Sequence, residues 1–491
     1  MKISKTKFIA GVQCLKRLYL LVHAHELAAQ PDGSNQAIID QGREVGLLAR
    51  QLFPGGVEVD GSGGLEAAIR TTRELVENSE VPAIFEGAFE QNDVVVKTDI
   101  LQRRKENHWR LVEVKSTSDL KNHHSEDVAI QSYVLSHSGL KLASVWLAHI
   151  NRSYVLTGTT VDPHQFFSFR NLTTRTQNLQ PELKLRLREQ FRILAVPKPP
   201  DVPTGPHCIN PVVCEFFYHC NNPKPEDYIG YIPRLHASAI EQLEQMGIES
   251  IHEIPADFEL SEFQRRACTA MQTGQPWFSA DLKNEFESLK YPLYFMDFET
   301  VNPAIPRFPG MHPYDHLPFQ WSVHVQKQPG AAPEHAEFLA MDSGDPRRDF
   351  ISSLCEALRE QGSIIVYNQQ FESERLWELA GWLPEYAQRI RDIQGRLWDL
   401  LPVVRNHIYH PAFGGSFSLK AVLPALVPEM TYEGMEVPNG RAAGLAWETM
   451  IGGTMGEAER QAKRRALLDY CGQDTLALVR LLEALQNRWA N

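Results

Sequence analysis

The run LYFMDFETVNP, residues 293–303, is apolar except for two acids, and that exception narrows the folds open to the chain more than any other stretch. Its apolar length reads as a buried strand, in which positions i and i+2 point to the same side. Asp297 and Glu299 would then stand next to each other. Adjacent buried carboxylates repel, and they persist only where one is protonated or a cation lies between them. A divalent metal ion is the economical solution, and it requires further acids on inward faces downstream.

Such acids follow. SIIVYNQQFESERLWELA (363–380) reads as a buried strand ending at Tyr367, then a helix carrying Glu372 near its first turn. RRALLDYCGQDTLALVRLLEAL (464–485) reads as a helix whose apolar stripe runs through Leu467, Cys471, Leu478 and Leu481, with Asp474 inside that stripe. Tyr470 lies one turn before Asp474 on nearly the same face.

DFET, NQQFE and YCGQD together resemble the three motifs of the DnaQ-like 3′→5′ exonucleases of the RNase H-like fold, in the Tyr-x-x-x-Asp (DEDDy) subclass, over about residues 290–488. The resemblance implies that Asp297, Glu299, Glu372 and Asp474 hold two Mg²⁺ or Mn²⁺ ions and that Tyr470 orients the attacking water. In the two-metal scheme the ions stabilise the attacking and leaving oxygens of an in-line displacement. The chain departs from the family at Glu372, where Asp is usual. Asp399, in RLWDLLPVV, matches a further acidic position of the family and is expected to play a supporting role.

A second constellation lies near the start. NDVVVKTDILQRRKENHWRLVEVKSTS (92–118) reads as two strands joined by a polar turn. Asp99 falls at the end of the first strand, and Glu113 and Lys115 share one face of the second. Asp followed by Glu-x-Lys resembles the PD-(D/E)XK nucleases, in which two carboxylates bind metal and an ammonium positions water and offsets charge on phosphate. A salt-bridged hairpin is the plain alternative. DVAIQSYVLS (127–136), with Gln131 and Tyr133, resembles the helix that follows the catalytic strands in RecB-family nucleases. Glu86 is an auxiliary candidate. An early-helix His common in that family is absent from DQGREVGLLARQLFP (40–54).

The 7 cysteines are odd in number and unevenly spaced, unlike a disulfide framework. Cys14, in FIAGVQCLKRLYL, and Cys208, Cys214 and Cys220, in CINPVVCEFFYHC, resemble the one-early, three-late arrangement of iron–sulfur RecB-like nucleases. That resemblance implies a [4Fe–4S] cluster on four thiolates, although the late triplet is wider at its first gap than the common form. Zinc, with His207 and His219 beside the thiols, and free structural thiols are the alternatives. Cys268, Cys355 and Cys471 sit in helical-looking apolar contexts and read as core thiols.

The whole chain resembles a bacterial fusion of an iron–sulfur RecB-like nuclease with an RNase H-like exonuclease. The expected class is α/β: a restriction-endonuclease-like domain over 1–222, a helical linker over 223–285, and a DnaQ-like domain over 286–491. LEQMGIESIHEIP (243–255), with one helix expected to end at Gly247 and a second after Pro255, has the pattern of a helix-hairpin-helix element, with a plain linker as the alternative. With 491 residues, 43% of them apolar, the chain has material for two or three cores. A net charge of −12 argues against a generic nucleic-acid coat. Basic clusters at 103–110, 184–192 and 460–465 could still meet phosphate.

The implied activity is metal-dependent hydrolysis of phosphodiester bonds, of DNA ahead of RNA. The competing readings are a nucleic-acid-binding scaffold with one or both centres inactive, and an RNA-processing exonuclease. No apolar run approaches membrane-helix length, and the scattered charges of MKISKTKFIAGVQCLKRLYLL do not suit a signal peptide. A soluble cytoplasmic protein without membrane contact is the expectation, and no feature points to a protein partner.

Overall fold

The computed structural model describes residues 1–29, 33–221, 227–453 and 455–488. The chain is mixed α/β with several sheets and divides into two compact units. One comprises Met1–Pro223 and Pro303–Asp315, the other Lys224–Asn302 and His316–Asn491. The boundary expected at 222/223 lies outside the described residues. Among the described residues no helix is long and apolar enough to cross a membrane.

The first unit is built on one sheet of β1 (Ile3–Ser4), β2 (Val57–Glu58), β3 (Ala83–Gln91), β4 (Val94–Arg103), β5 (Trp109–Lys115), β6 (Leu142–Ile150) and β7 (Phe167–Asn171). Its order is β2-β3-β4-β5-β6-β7, with β1 parallel to β4. Strands β3, β4 and β5 are antiparallel, whereas β5 and β6 run parallel and so need a crossover helix. The helices that concern the sites are α1 (Lys5–Gln13), α2 (Leu15–His23), α3 (Gly33–Arg50), α4 (Asn122–His137, the crossover) and α5 (Thr173–Leu194). The period-2 alternation of the strands gives the sheet two apolar faces. Val94, Val96 and Leu101 pack with Phe8, Leu18, Val128 and Leu187, and Ile100, Val112 and Ala148 pack with Val45 and Ala49.

Residues 303–315 complete this unit although they follow a strand of the other. Ala304 joins the core around Tyr154 and Phe166. Leu156 exchanges backbone bonds with Gly310 and Met311 at 2.7 and 3.0 Å, and the Tyr314 hydroxyl donates to the carbonyl of Ser116.

The second unit adds β8 (Trp277–Phe278), β9 (Leu293–Val301), β10 (Leu317–Gln326), β11 (Glu334–Leu339), β12 (Ile364–Val366), β13 (Leu397–Asp399) and β14 (Ile408–Tyr409). The main sheet has the order β11-β10-β9-β12-β13, and β8 pairs with β14. Strands β9, β10 and β11 are antiparallel; β12 and β13 run parallel to β9 and to each other. Three helices shape its site: α6 (Gln369–Trp382), α7 (Gly440–Ile451) and the long α8 (Glu457–Asn487). Leu293 and Phe295 of β9 pack under Leu478, Leu481 and Leu482 of α8, while Tyr294, Met296 and Phe298 face Phe350, Leu354 and Leu376. Asp297 and Glu299 therefore lie on the α8 side.

The stretch expected as a linker does not stand apart. Ile229, Ile232, Leu243, Ile251 and Cys268 make a small core of their own, and Ala267 and Ala270 pack into the cluster beneath α8. The helix Ala237–Gln245 is followed by Gly247, at φ 79°, and then by a single 3₁₀ turn, Ile251–Glu253. The second helix, expected after Pro255, is Glu262–Thr273. An isolated antiparallel bridge also joins Tyr228 to Ser250.

Candidate functional site

In the second unit, β9 sets Asp297 and Glu299 on one face, in register with Ser322 and Gln320 of β10. Helix α8 crosses that face with Tyr470, Cys471 and Asp474, and the first turn of α6 brings in Glu372. Ligand atoms of Asp297, Glu299 and Cys471 lie within 4.8 Å of one another. Glu372 is 2% exposed, and its Oε2 is buried with no hydrogen-bond partner. Asp474 accepts a 2.6 Å bond from the Tyr432 hydroxyl, and the Tyr470 phenol acts on the same carboxyl.

Burial pushes all four acids above the usual carboxylate range. Asp474 adds to the effect at Asp297, and Asp297 adds to it at Glu299 and Glu372. The Lys420 ammonium, 5.0 Å from the Tyr470 ring and 5.1 Å from that of Tyr432, opposes the shift at Glu299 and Asp474. A Cβ on Gly440 would come within 3.1 Å of Glu299 Oε2, so the start of α7 lies close against the acid. Converging carboxylates of this kind, one of them with an orphaned oxygen, are a donor set suited to Mg²⁺ or Mn²⁺.

Asp399 works through the backbone. Its oxygens accept the N–H groups of Asn368 (2.9 Å), Gln369 (2.9 Å) and Leu401 (3.0 Å). Asn368 is left-handed, at φ 86°. Asp399 thereby fixes the start of α6 and the direction of Glu372.

In the first unit, Asp99 of β4 lies within electrostatic reach of Glu113 and Lys115 of β5, and Gln131 of α4 reaches Glu113. Lys115 Nζ is 2.8 Å from Glu113 Oε1 and pairs also with Asp127, while Gln131 Nε2 donates to Glu113 Oε2 at 2.7 Å. Lys5 of α1 enters the same cluster, 2.8 Å from Glu113 and 3.3 Å from Asp127. Asp99 accepts the Val114 N–H at 2.7 Å. Burial, reinforced by Glu113, pushes Asp99 up to about 7. Burial acts upward on Glu113 too, but Lys115 and Lys5 outweigh it and hold that carboxyl well below its ordinary value.

Asp99 lines a cavity of about 580 Å³ shared with Arg43, Arg50, Lys97, Glu58 and Glu86. Glu86 is paired with Arg50 at 2.9 Å. It sits on the cavity wall and not in the Glu113 cluster. Helix α3, where the early His would stand, offers Gly42, Arg43, Gly46, Leu47 and Arg50 instead.

Tyr133 is a correction. It lies two residues beyond Gln131, about 200° around the helix, and so faces away from Glu113. It packs into the core with its hydroxyl 3.5 Å from Asn92, at the far end of the hairpin.

The four expected cluster cysteines are gathered. Cys14 joins α1 to α2 and is within electrostatic reach of Cys214 and Cys220, as Cys208 is of Cys220. Gln13 donates to the carbonyls of His207 and Val212 at 2.7 and 2.8 Å, and Arg17 pairs with Glu215 at 2.7 Å. These bonds hold the early helices on the late loop. Among the described residues no three of the four sulfurs lie within 4.8 Å of one another. His207 Nε2 is 3.7 Å from Cys208 Sγ, and His219 is exposed. Cys268 and Cys355 pack in apolar clusters. Cys471 does not: standing one residue after Tyr470, it turns to the acids, with Sγ 3.9 Å from Asp297 Oδ2.

Lys5, Asp127, Lys420 and Tyr432 were not among the expected site residues. Asp127 was readable, one helical turn before Gln131 on the same face. Lys5 is 108 residues from Glu113 in sequence, and Lys420 and Tyr432 carry no spacing that marks them.

A family model described as a domain of unknown function (DUF2779) matches residues 294–418, which include Asp297, Glu299, Glu372 and Asp399. An uncharacterized protein of Mycoplasma pneumoniae (strain ATCC 29342 / M129 / Subtype 1) is 23% identical over 215 residues, 40% of this chain and 32% of its own length. One of Ureaplasma parvum serovar 3 is 22% identical over 214 residues, 40% of this chain and 31% of its own. The chain thus spans about a third of the length of these curated relatives. The solved structure described as "Crystal structure of SSO0001" shares 12% identity, with a TM-score of 0.19, over 38% of this chain and 75% of that one.

Proposed function

We propose that this chain is a metal-dependent nuclease that hydrolyses phosphodiester bonds of DNA at two centres, a RecB-like PD-(D/E)XK centre in the first unit and a DEDDy-type 3′→5′ exonuclease centre in the second. The observation that carries the reading is that Asp297 and Glu299 present oxygens within 4.8 Å of each other, with Asp474 and Glu372 in electrostatic reach of Asp297 and a Glu372 oxygen buried and unpartnered. The strand order, three antiparallel strands followed by two parallel ones, agrees with an RNase H-like arrangement.

In the second unit these four acids would hold the ions, which supply an activated water and charge stabilisation on the transferring phosphate. Tyr432 hydrogen-bonds Asp474 and fixes its direction, Tyr470 stands beside the same carboxyl, and Lys420 offers a cation beside the pocket. In the first unit Asp99 and Glu113 would bind metal. Lys115, held between Glu113 and Asp127, is the group placed to position water. The arginines and lysine around the Asp99 cavity suit a phosphate backbone.

Strands labelled at the 5′ end, single- and double-stranded, of DNA and of RNA, incubated with Mg²⁺ or Mn²⁺, test the proposal. Stepwise shortening from the 3′ end is expected, with DNA preferred. A change of mobility without shortening would favour the scaffold reading, which Lys5 supports at the first centre because its ammonium already occupies Glu113.

For Cys14, Cys208, Cys214 and Cys220 we propose a [4Fe–4S] cluster, with zinc as the alternative. Cys214→Ala should bleach the brown colour of protein purified without oxygen and lower its melting temperature. A colourless wild type with stoichiometric zinc would reverse that assignment.

A further inference from the structure

The proposed reaction leaves one atom of the second centre without a task. Cys471 Sγ stands 3.9 Å from Asp297 Oδ2 and, with Glu299, belongs to one set of donors within 4.8 Å of one another. A second, independent feature also points to a ligand: the buried Oε2 of Glu372 has no hydrogen-bond partner and lies within electrostatic reach of Asp297. Hard ions give a sulfur no role, because Mg²⁺ is coordinated through oxygen in near-octahedral geometry. Soft thiolate donors select zinc-like ions.

The spacing fits such an ion. A four-coordinate zinc with Zn–S near 2.3 Å and Zn–O near 2.1 Å places its sulfur and oxygen donors about 3.6 Å apart, and the observed separation is 3.9 Å. A shift of a few tenths of an ångström would close the bite. The thiol proton leaves to solvent as the metal–sulfur bond forms, so no oxidant or reductant is needed.

We propose that the acidic pocket of the second unit is also a site for a soft divalent ion, Zn²⁺ or Cd²⁺, held by Cys471 together with Asp297 and Glu299, and that this ion shuts the centre by displacing the hard ions. The proposal rests on the reading of these acids as a metal centre. Zinc and Mg²⁺ then compete for the same two carboxylates, with the sulfur as the one donor that only the soft ion uses.

The test compares full-length wild type with Cys471→Ser and Cys471→Ala, all prepared with the four-cysteine site in the same state. Cd²⁺ is titrated while its ultraviolet sulfur-to-metal charge-transfer band is recorded, Zn²⁺ by calorimetry, and Mn²⁺ by electron paramagnetic resonance. Signals from the first unit are common to all three proteins and cancel in the difference. Wild type is expected to show one more equivalent of the cadmium band than either variant. It should also bind Zn²⁺ on the order of 100-fold or more tightly than the variants, at the upper end of or beyond what losing an outer-shell partner costs. The serine variant should keep its Mg²⁺-dependent shortening of strands and lose its sensitivity to zinc.

Equal cadmium bands and equal zinc affinity in wild type and variants, with Mn²⁺ still bound in a way that Asp297→Asn abolishes, would overturn the soft-ion site and leave the metal centre standing. Failure of Mn²⁺ to bind in an Asp297-dependent way would overturn both.

Discussion

Asp297→Asn is expected to slow removal of 3′ nucleotides by on the order of 10³-fold, about 4 kcal/mol of transition-state stabilisation, and at the same time to raise the melting temperature of the metal-free protein. The two effects have one cause. Asp297 is pushed up by burial and then by Asp474, and it in turn pushes up Glu299 and Glu372. Without a cation, ionising these groups works against the folded state.

Below the ordinary carboxyl value of about 4 both folded and unfolded chains hold these protons. As pH rises, the unfolded chain releases them first, so stability falls through the window between the ordinary and the raised values. The metal-free wild type should therefore lose stability toward neutral pH, and the asparagine variant should lose less. Mg²⁺ at 100 times its dissociation constant should restore about 2.7 kcal/mol to wild type and much less to the variant. Calorimetric melting with and without Mg²⁺ across pH, alongside the labelled-strand assay, measures all of this. A variant that melts lower than wild type and still shortens strands would remove the basis of the proposed centre.

Lys115→Met should silence cutting by the first centre, leave 3′ removal by the second unchanged, and cost about 2 kcal/mol of stability. Removing one member of a buried pair commonly costs about 3–5 kcal/mol because the remaining charge is stranded. Here Lys5 still reaches Glu113 at 2.8 Å and Asp127 at 3.3 Å, and Gln131 still donates to Glu113 at 2.7 Å. The stranding is therefore partial. The double variant Lys5→Met/Lys115→Met should cost more than the two single changes together, because each lysine covers for the other.

Glu113 gives the pH signature. Its carboxyl is held low, so its stabilisation is present above the ordinary glutamate value and is lost as pH falls toward the folded one. Losing Lys115 should bring acid unfolding to higher pH. If Lys5→Met alone abolished cutting while Lys115→Met did not, the two ammonium groups would have to exchange roles.

What could be read from the sequence was what local periodicity controls. Asp297 and Glu299 share a face because strands repeat every two residues, and Tyr470 and Asp474 share one because helices return every three or four. The same rule, applied to α4, would have paired Gln131 with Asp127 and excluded Tyr133. Motif likeness suggested Tyr133, and helical geometry turns it away. Lys5, Lys420 and Tyr432 reach their sites by tertiary contact from segments whose own pattern says nothing about the destination. The stretch after residue 223 looked like a connector because its helices are short, yet Leu243, Ile251 and Cys268 are buried among themselves.

The stretch Pro303–Asp315 has a practical consequence. It lies between β9 and β10 in sequence, but its apolar residues belong with Tyr154, Leu156 and Phe166. No single cut in the polypeptide yields two whole halves. A fragment ending near residue 222 lacks part of its own interior, and the complementary fragment carries an apolar loop stripped of the surface that covers it. Dissection of the two proposed centres therefore calls for point substitutions in the intact chain, with truncation reserved for fragments into which this loop has been grafted or from which it has been replaced by a short polar turn.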